Sequence, residues 1–342
     1  MPVVEHVHES TSPQAGRRRR GPGRTVVLVV LALCVALLVV ALAHSADSTH
    51  PSGPPRGPSR LASAGSPART AGPAGSVPEP LHVVVPPPSS AWRVAALLGG
   101  RPAVWLAHRA GVTLLRVDQQ RVHLILHAGS SDGGPAGWRY GDRITPAEIH
   151  RVVAAVNGAF KLTYTNVGFM SGGHVAVPLR AGLASLVTYS DGTTDIGAWR
   201  AGVPGAGKTV FSVLQNQRLL VDRGVAAATV SDCVIKCWGG TVGLLTVIAR
   251  SGLGITRGGK LVWAAGEQLS PADLAGALIG AGAVRAIELD INPWWVAGYL
   301  YLHHPGGPSP VALVAGQRGV AGAFLEPYSR DFLTFVAEGI SR

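Results

Sequence analysis

The sequence predicts an α+β domain, a mixed β-sheet with packed helices, standing behind a single N-terminal transmembrane helix and a disordered linker. Three observations lead there. A 19-residue uncharged stretch follows a run of Arg, and a segment rich in Pro, Gly and Ser comes next. Beyond residue 91, short apolar runs alternate with two well-capped helical patterns, which fits an α+β arrangement better than a regular βαβ array.

Thr25 to Ala43 carries no charge over 19 residues. At ~1.5 Å rise per residue such a helix just crosses a ~30 Å hydrocarbon layer. Arg17 to Arg20 and Arg24 precede it, and no basic residue follows until Arg56. The positive-inside bias therefore assigns residues 1–24 to a basic cytoplasmic tail, 25–43 to a signal-anchor helix of the cell membrane, and the rest to the extracellular side. Ala41-Leu42-Ala43 also satisfies the small-residue pattern of a cleaved signal peptide, but the apolar stretch exceeds the usual ~7–15 residue core of such signals. Both alternatives export the remainder of the chain.

Residues 44–90 hold 11 Pro in 47 residues, with Gly, Ser and Ala between them. Such a segment buries too little apolar surface to offset its chain entropy and reads as a spacer. Residues 91–342 form the expected folded, extracellular domain. The whole chain is 47% hydrophobic and 14% charged, with a formal net charge of +11. That charge is carried mainly by Arg scattered along the sequence, with no basic run after residue 24 and no recognition-helix motif, so nucleic acid is not an expected partner. Cys34 lies in the apolar stretch. Cys233 and Cys237 form a C-x3-C pair that can bridge only if the chain turns between them; outside the cell a local disulfide is the first reading.

Within the domain, residues 103–118 and 121–129 read as strands of a hairpin. Residues 145–157 read as a helix: Thr145 caps it, Pro146 suits its first turn, Glu148 completes a capping box, and Ile149, Val152, Val153 and Val156 share one face. Two hairpins follow, turning at Asp191-Gly192 and at Gly258-Gly259. A second helix begins at Ser270, with Pro271 and Asp273 as cap residues, and leads into a strand ending near Ile291. Gly202 to Thr209 matches the phosphate-loop pattern letter for letter. The strand that such a loop needs before it is missing, although residues 210–222 could be helical, so a Gly-rich surface loop is expected.

The residues around Asn157-Gly158-Ala159-Phe160, Gly168-Phe169-Met170-Ser171-Gly172-Gly173, Arg250 to Gly254 and 269–290 occur in the order seen in the phosphodiester glycosidase family, which the chain resembles over about residues 120 to 330. One animal member removes N-acetylglucosamine from phosphodiester-linked mannose 6-phosphate. Asn157, Gly158 and Phe160 look like the family's Asn-Gly-Gly-Phe stretch, with Ala159 in place of the second Gly. Arg250 looks like its Arg-x-x-x-Gly segment, and Asp290 looks like the Asp of its Leu-Asp-Gly-Gly-Gly-Ser loop. Here that loop reads Asp290-Ile291-Asn292-Pro293-Trp294, similar to an actinobacterial branch of the family. The resemblance implies a hydrolase of a sugar–phosphate bond.

On a strand, Glu288, Asp290 and Asn292 point to one face while Ile287, Leu289 and Ile291 point to the core. Two carboxylates sharing a face push each other's pKa apart, which suits acid/base work on a glycosyl phosphate. Asp290 is expected to activate water, Glu288 to serve as acid or metal ligand, Arg250 to stabilise phosphate charge, and Asn157 to present an amide. Gly158, Phe160, Asn292, Trp294 and Trp295 are expected to bind substrate, the two Trp offering flat faces to a sugar ring. The carboxylates also suit a divalent cation, which favours oxygen ligands. The expected function is a membrane-anchored extracellular hydrolase of a glycosyl phosphodiester or related glycosidic bond in envelope polysaccharide. The alternative is a non-catalytic carbohydrate-binding or envelope protein on the same fold.

Overall fold

A computed structural model describes residues 79–132, 137–165, 167–241 and 243–338. The expected cytoplasmic tail, the transmembrane helix and nearly all of the linker lie outside the described residues. Among the described residues no helix is long and apolar enough to cross a membrane.

Strands dominate. In chain order they begin with β1 (Leu81–Val83), β2 (Arg93–Leu98), β3 (Arg101–Arg109), β4 (Val112–Val117), β5 (Val122–His127) and β6 (Val152–Asn157). Next come β7 (Phe169–Ser171), β8 (His174–Val177), β9 (Ala184–Tyr189), β10 (Thr194–Ala198), β11 (Val210–Gln215), β12 (Leu219–Asp222) and β13 (Val225–Ala226). The series closes with β14 (Ile248–Thr256), β15 (Leu261–Leu269), β16 (Ala283–Ile291), β17 (Gly298–His304), β18 (Gly307–Ala312) and β19 (Phe332–Ala337). They form three sheets, ordered β1-β2-β3-β4-β15-β14-β16-β12-β13, β10-β9-β11-β7-β8 and β18-β17-β6-β19-β5. Every pairing between named strands is antiparallel.

This corrects the α+β expectation of a mixed sheet with packed helices: the fold is mainly antiparallel β. Among the described residues the longest helix is Pro271–Gly280. It begins as the sequence indicates. The Asp273 amide donates to Ser270 Oγ at 3.1 Å, and the Ser270 amide donates to Asp273 Oδ2 at 2.9 Å. Leu274, Ala275 and Leu278 press this helix onto Val262, Ala264, Ala283 and Ala286 on the outer face of the first sheet. The opposite face meets the other two sheets in the main core. There Leu253, Trp263, Ile287 and Leu289 pack with Val156, Leu300, Leu333 and Phe335 of the third sheet and Leu186 and Leu214 of the second.

The helix expected over 145–157 is overturned. Its capping contacts exist: Glu148 Oε2 accepts from the Thr145 amide at 2.9 Å and from Thr145 Oγ1 at 2.7 Å. The chain nevertheless leaves after one turn, and β6 becomes the middle strand of the third sheet, between β17 and β19. All six of its residues are buried. An amphipathic helix needs a solvated face, and a run buried on both sides is better served by β-branched side chains on a central strand. Glu148 then turns inward. Its Oε1 lies 3.0 Å from His127 Nε2 and accepts from Thr334 Oγ1 at 2.8 Å, so it joins the turn to β5 and β19. Burial alone would raise this carboxyl, but His127 and the Thr145 hydrogen bonds outweigh that and hold it at about 2.

Four smaller expectations resolve here. The hairpins at Asp191-Gly192 and Gly258-Gly259 form as β9–β10 and β14–β15. Residues 103–117 make the β3–β4 hairpin, whereas β5 leaves for the third sheet. Residues 210–222, read as potentially helical, are β11 and β12, so no helix follows Gly202–Thr209. Lys208 instead closes the neighbouring turn, 3.2 Å from Asp191 Oδ2 and 2.7 Å from Thr193 Oγ1. Residues 81–83, counted in the linker, form β1 and pair with β2.

Glu148 yields a pH prediction. Its folded value near 2 lies below the unfolded ~4.3, so its contribution is complete above about pH 4.5 and is lost as pH falls towards 2. The share is on the order of 3 kcal/mol. Urea unfolding of the parent and Glu148→Gln should therefore show a steeper acid loss in the parent over that window. Parallel curves would refute the assignment.

Candidate functional site

The site lies where the first and third sheets meet at their strand ends. β16 ends at Asp290-Ile291, β6 ends at Asn157, and β19 begins just after Arg330-Asp331. Backbone hydrogen bonds join the three ends. The Asp290 amide donates to Gly158 O at 2.8 Å, and the Gly158 amide donates to Asp331 O at 3.1 Å. Gly158 is required by this approach, since a Cβ there would meet Asp331 Oδ2 at 2.0 Å. Above the junction is a cleft of about 430 Å³, whose lining includes Asp290, Arg330, Lys161, Phe160, Asn292 and Trp295.

One guanidinium organises its floor. Arg330 contacts Asp290 Oδ2 at 2.8 Å and Asp132 Oδ2 at 2.6 Å, and donates to Ala159 O at 3.1 Å. Its guanidinium also lies 5.0 Å from the Trp295 ring centroid. Asp331 accepts from the Ala159 amide at 2.9 Å. Asp132, Asp290, Arg330 and Asp331 are all buried, so three carboxylates surround one base. Burial pushes the Asp290 carboxyl up to about 7, against the pull of Arg330. Burial, followed by Asp132, raises Asp331 well above the ordinary range, again against Arg330. A carboxyl near 7 at a cleft wall can take or give a proton at neutral pH.

The residues proposed from the sequence divide into two groups. Asp290, Phe160, Asn292 and Trp295 line the cleft, and the Gly158 backbone holds its floor. Glu288, Arg250 and Asn157 stand behind it. Glu288 and Asp290 are two residues apart on β16, but Glu288 Oε1 accepts from Arg250 Nη1 at 2.7 Å. Arg250 is fully buried, so it does not face a substrate phosphate. Its other donors go to Leu269 O at 3.0 Å, Trp238 O at 2.9 Å and Thr246 O at 3.1 Å. The last two acceptors flank the segment whose Gly239, Gly240 and Thr241 form one wall of the cleft. Burial raises Glu288 to about 8, with Arg250 opposing. Asn157 Nδ2 donates to Ser251 Oγ at 2.9 Å, and Ser251 Oγ donates to Asp290 O at 2.9 Å, so the amide positions the aspartate's backbone.

The altered loop is explained by its conformation. Asn292 has φ 91°, a left-handed region that Asn tolerates better than most residues. Its carbonyl accepts from the Trp295 and Val296 amides at 3.0 and 3.1 Å, and its Oδ1 accepts from the Trp294 amide at 3.2 Å. The turn aims Trp295 at the cleft and leaves Trp294 59% exposed outside it. Cys233 and Cys237 are joined, with Cα atoms 5.3 Å apart, because two short helices, Thr229–Asp232 and Val234–Trp238, supply the turn between them.

Sequence reasoning missed Arg330, Asp331, Asp132 and Lys161. Ser329-Arg330-Asp331 is a polar triplet set directly before the apolar run of β19, the same texture that drew attention to Glu288-Leu289-Asp290. Gly129-Ser130-Ser131-Asp132-Gly133 also carries the letters of a nucleophile elbow, G-x-S-x-G, and Ser131 lines the cleft. Asp132 is the member of that segment tied into the ionic cluster. Among the described residues no group of three His, Cys, Asp or Glu side chains is arranged to hold a metal ion.

No protein-family profile matches the chain, and no curated protein matches it significantly. Among solved structures, the chain is similar to the zebrafish N-acetylglucosamine-1-phosphodiester alpha-N-acetylglucosaminidase catalytic domain, auto-inhibited by its pro-peptide. The identity is 14% and the TM-score 0.42, over 77% of this chain and 89% of that one. It is also similar to a hypothetical protein from Synechocystis, at 12% identity and TM-score 0.37, over 70% of this chain and 65% of that one.

The Arg250–Glu288 pair generates a stability prediction. Arg250→Ala leaves a buried carboxyl and three carbonyls without their donor, and should cost about 3–5 kcal/mol in urea unfolding. A loss below about 1 kcal/mol would show that the pair does not hold the cleft wall.

Proposed function

We propose that this cleft is the catalytic site of a membrane-anchored extracellular hydrolase acting on a glycosyl phosphodiester of envelope polysaccharide. The observation that carries the reading is a single cleft-lining carboxyl near neutrality, set beside two cations and an aromatic wall. Plain glycoside hydrolysis generally uses two facing carboxyl groups, one of them protonating a poor leaving group. A phosphate leaves as an anion and has less need of that acid, so one base and flanking cations suffice. In the proposed step, Asp290 takes a proton from water. The water oxygen bonds to the anomeric carbon, and the bond from that carbon to the phosphate oxygen breaks. Its electron pair stays on the phosphate, whose charge Arg330 and Lys161 stabilise. Trp295 and Phe160 offer apolar faces to the sugar. The anchored, extracellular placement rests on the uncharged stretch Thr25 to Ala43 and the Arg residues before it.

The test is turnover of methyl and aryl glycosyl phosphodiesters, with matched aryl glycosides as controls. Asp290→Asn should lower kcat/KM by about 10²–10⁴-fold. With Asp290 as base, the parent's kcat/KM should fall as pH drops below about 7, because the ionised form is lost there. A rate that rises as pH falls through 7 would make Asp290 the acid. Turnover that survives Asp290→Asn unchanged would remove the site from the chemistry. Saturable glycan binding with no turnover of any substrate would favour the binding-protein alternative.

A further inference from the structure

A second concavity lies away from the ionic cluster, and the proposal made from it rests on the carbohydrate reading of the cleft. A groove of about 850 Å³ runs along the end of β15, over a floor that includes Leu269, Leu313 and Val314. A smaller hollow of about 230 Å³ shares Glu267, Gln268, Val314, Gly316 and Gln317 with it and ends at Pro293 and Arg318. The two are neighbours that share these residues as a common wall. The far end of the smaller one abuts the turn whose Asn292 and Trp295 line the cleft, so residues 292–295 separate it from the cleft. Trp294 stands on this divide. One face of its ring carries the Arg318 guanidinium at 4.0 Å, yet the residue remains 59% exposed.

The lining is amphipathic in a particular way. Its floor is apolar, and its rim carries hydrogen-bonding groups: His108, Gln268, Gln317 and the exposed carboxylate of Glu267. Two of these leave a nitrogen without a partner. Gln317 Oε1 accepts from the Gly298 amide at 3.1 Å and the Val314 amide at 3.2 Å, which fixes the side chain, while its Nε2 is buried and unpaired. His108 Nδ1 is likewise buried and unpaired. Buried polar atoms in native proteins almost always have partners, so these two nitrogens mark hydrogen-bonding capacity at the rim that the described residues do not use. An exposed aromatic beside such a groove is the usual means of gripping a pyranose ring's apolar face.

We propose that this groove holds an extended glycan chain, crossing Trp294 into the cleft, so that the protein engages a polysaccharide rather than a free glycosyl phosphate. The class of ligand is a neutral, hydroxyl-rich polymer. A nucleotide or acidic polymer is disfavoured because Arg318 is the only Arg or Lys among the lining residues of the two hollows.

Affinity electrophoresis of the full-length protein through gels containing mannan, dextran or arabinogalactan tests this. At least one polymer should retard the parent. Trp294→Ala and Gln317→Glu, the latter keeping the Oε1 acceptor and losing the Nε2 donor, should each weaken the apparent Kd about tenfold. Retardation by none of the three polymers overturns the proposal, as does unchanged retardation of both groove variants. Retardation lost in Asp290→Asn alone would overturn it too, by moving binding into the cleft. Full retardation of the parent with no turnover of any glycosyl phosphodiester would sink the hydrolase reading and leave the groove standing.

Discussion

The cleft depends on one guanidinium. Arg330 touches Asp290, Asp132 and the Ala159 carbonyl, three groups that come from widely separated parts of the chain. Without it, the fold would bring buried carboxylates together with nothing to offset their repulsion or the loss of their hydration. With it, the charges are only partly matched, since three acids face one base. Burial and mutual repulsion then lift Asp331 far above the ordinary carboxyl range, and Asp290 settles near 7. The same imbalance that makes the cluster costly to bury places a proton-exchanging group at the cleft wall. A carboxyl perturbed by burial and a specific charged neighbour, set in a cleft, is a candidate functional group.

A second layer holds the first. Arg250 and Glu288 form a buried pair that ties down both flanks of the loop carrying Gly239 and Gly240. Asn157 acts through Ser251 on the backbone of Asp290. These three residues look catalytic in the sequence because they are polar residues in apolar surroundings, and the structure places them behind the cleft rather than in its lining. Arrangement by a fully hydrogen-bonded inner network is what keeps a reactive side chain within the small tolerances that catalysis needs. Outside this layer, the turn at Asn292 sorts two adjacent Trp residues, one to the cleft and one to the divide before the groove.

Local chemistry made part of this architecture legible. Asp191-Gly192 and Gly258-Gly259 announce their hairpins because few residues accept the backbone angles of tight turns. Ser270-Pro271 with Asp273 announces a helix because the cap satisfies orphan amides within four residues. The same signature at Thr145-Pro146 with Glu148 misleads. Its cap contacts are real, but the following Val152 to Val156 run is claimed by β17 and β19, and burial on both faces outweighs a local helical start. The missing signal is long-range: nothing in residues 145–157 tells that two distant strands will flank them. Arg330 was passed over for a related reason, since its two acidic partners are 40 and 198 residues away.

The sequence by itself determined the turns, the capped helix, the likeness of the 286–292 stretch to an acid-bearing strand end, and the pairing chemistry of Cys233 with Cys237. Each depends on interactions closed within a few residues, whose energies the local chain can settle alone. Only the tertiary structure decided which acids reach the cleft, which are shut behind it with Arg250, and that Arg330 rather than Arg250 stands beside Asp290. Those outcomes follow from burial and Coulombic contact between segments far apart in the chain, and a charged group's role changes entirely according to whether water or another charge lies beside it.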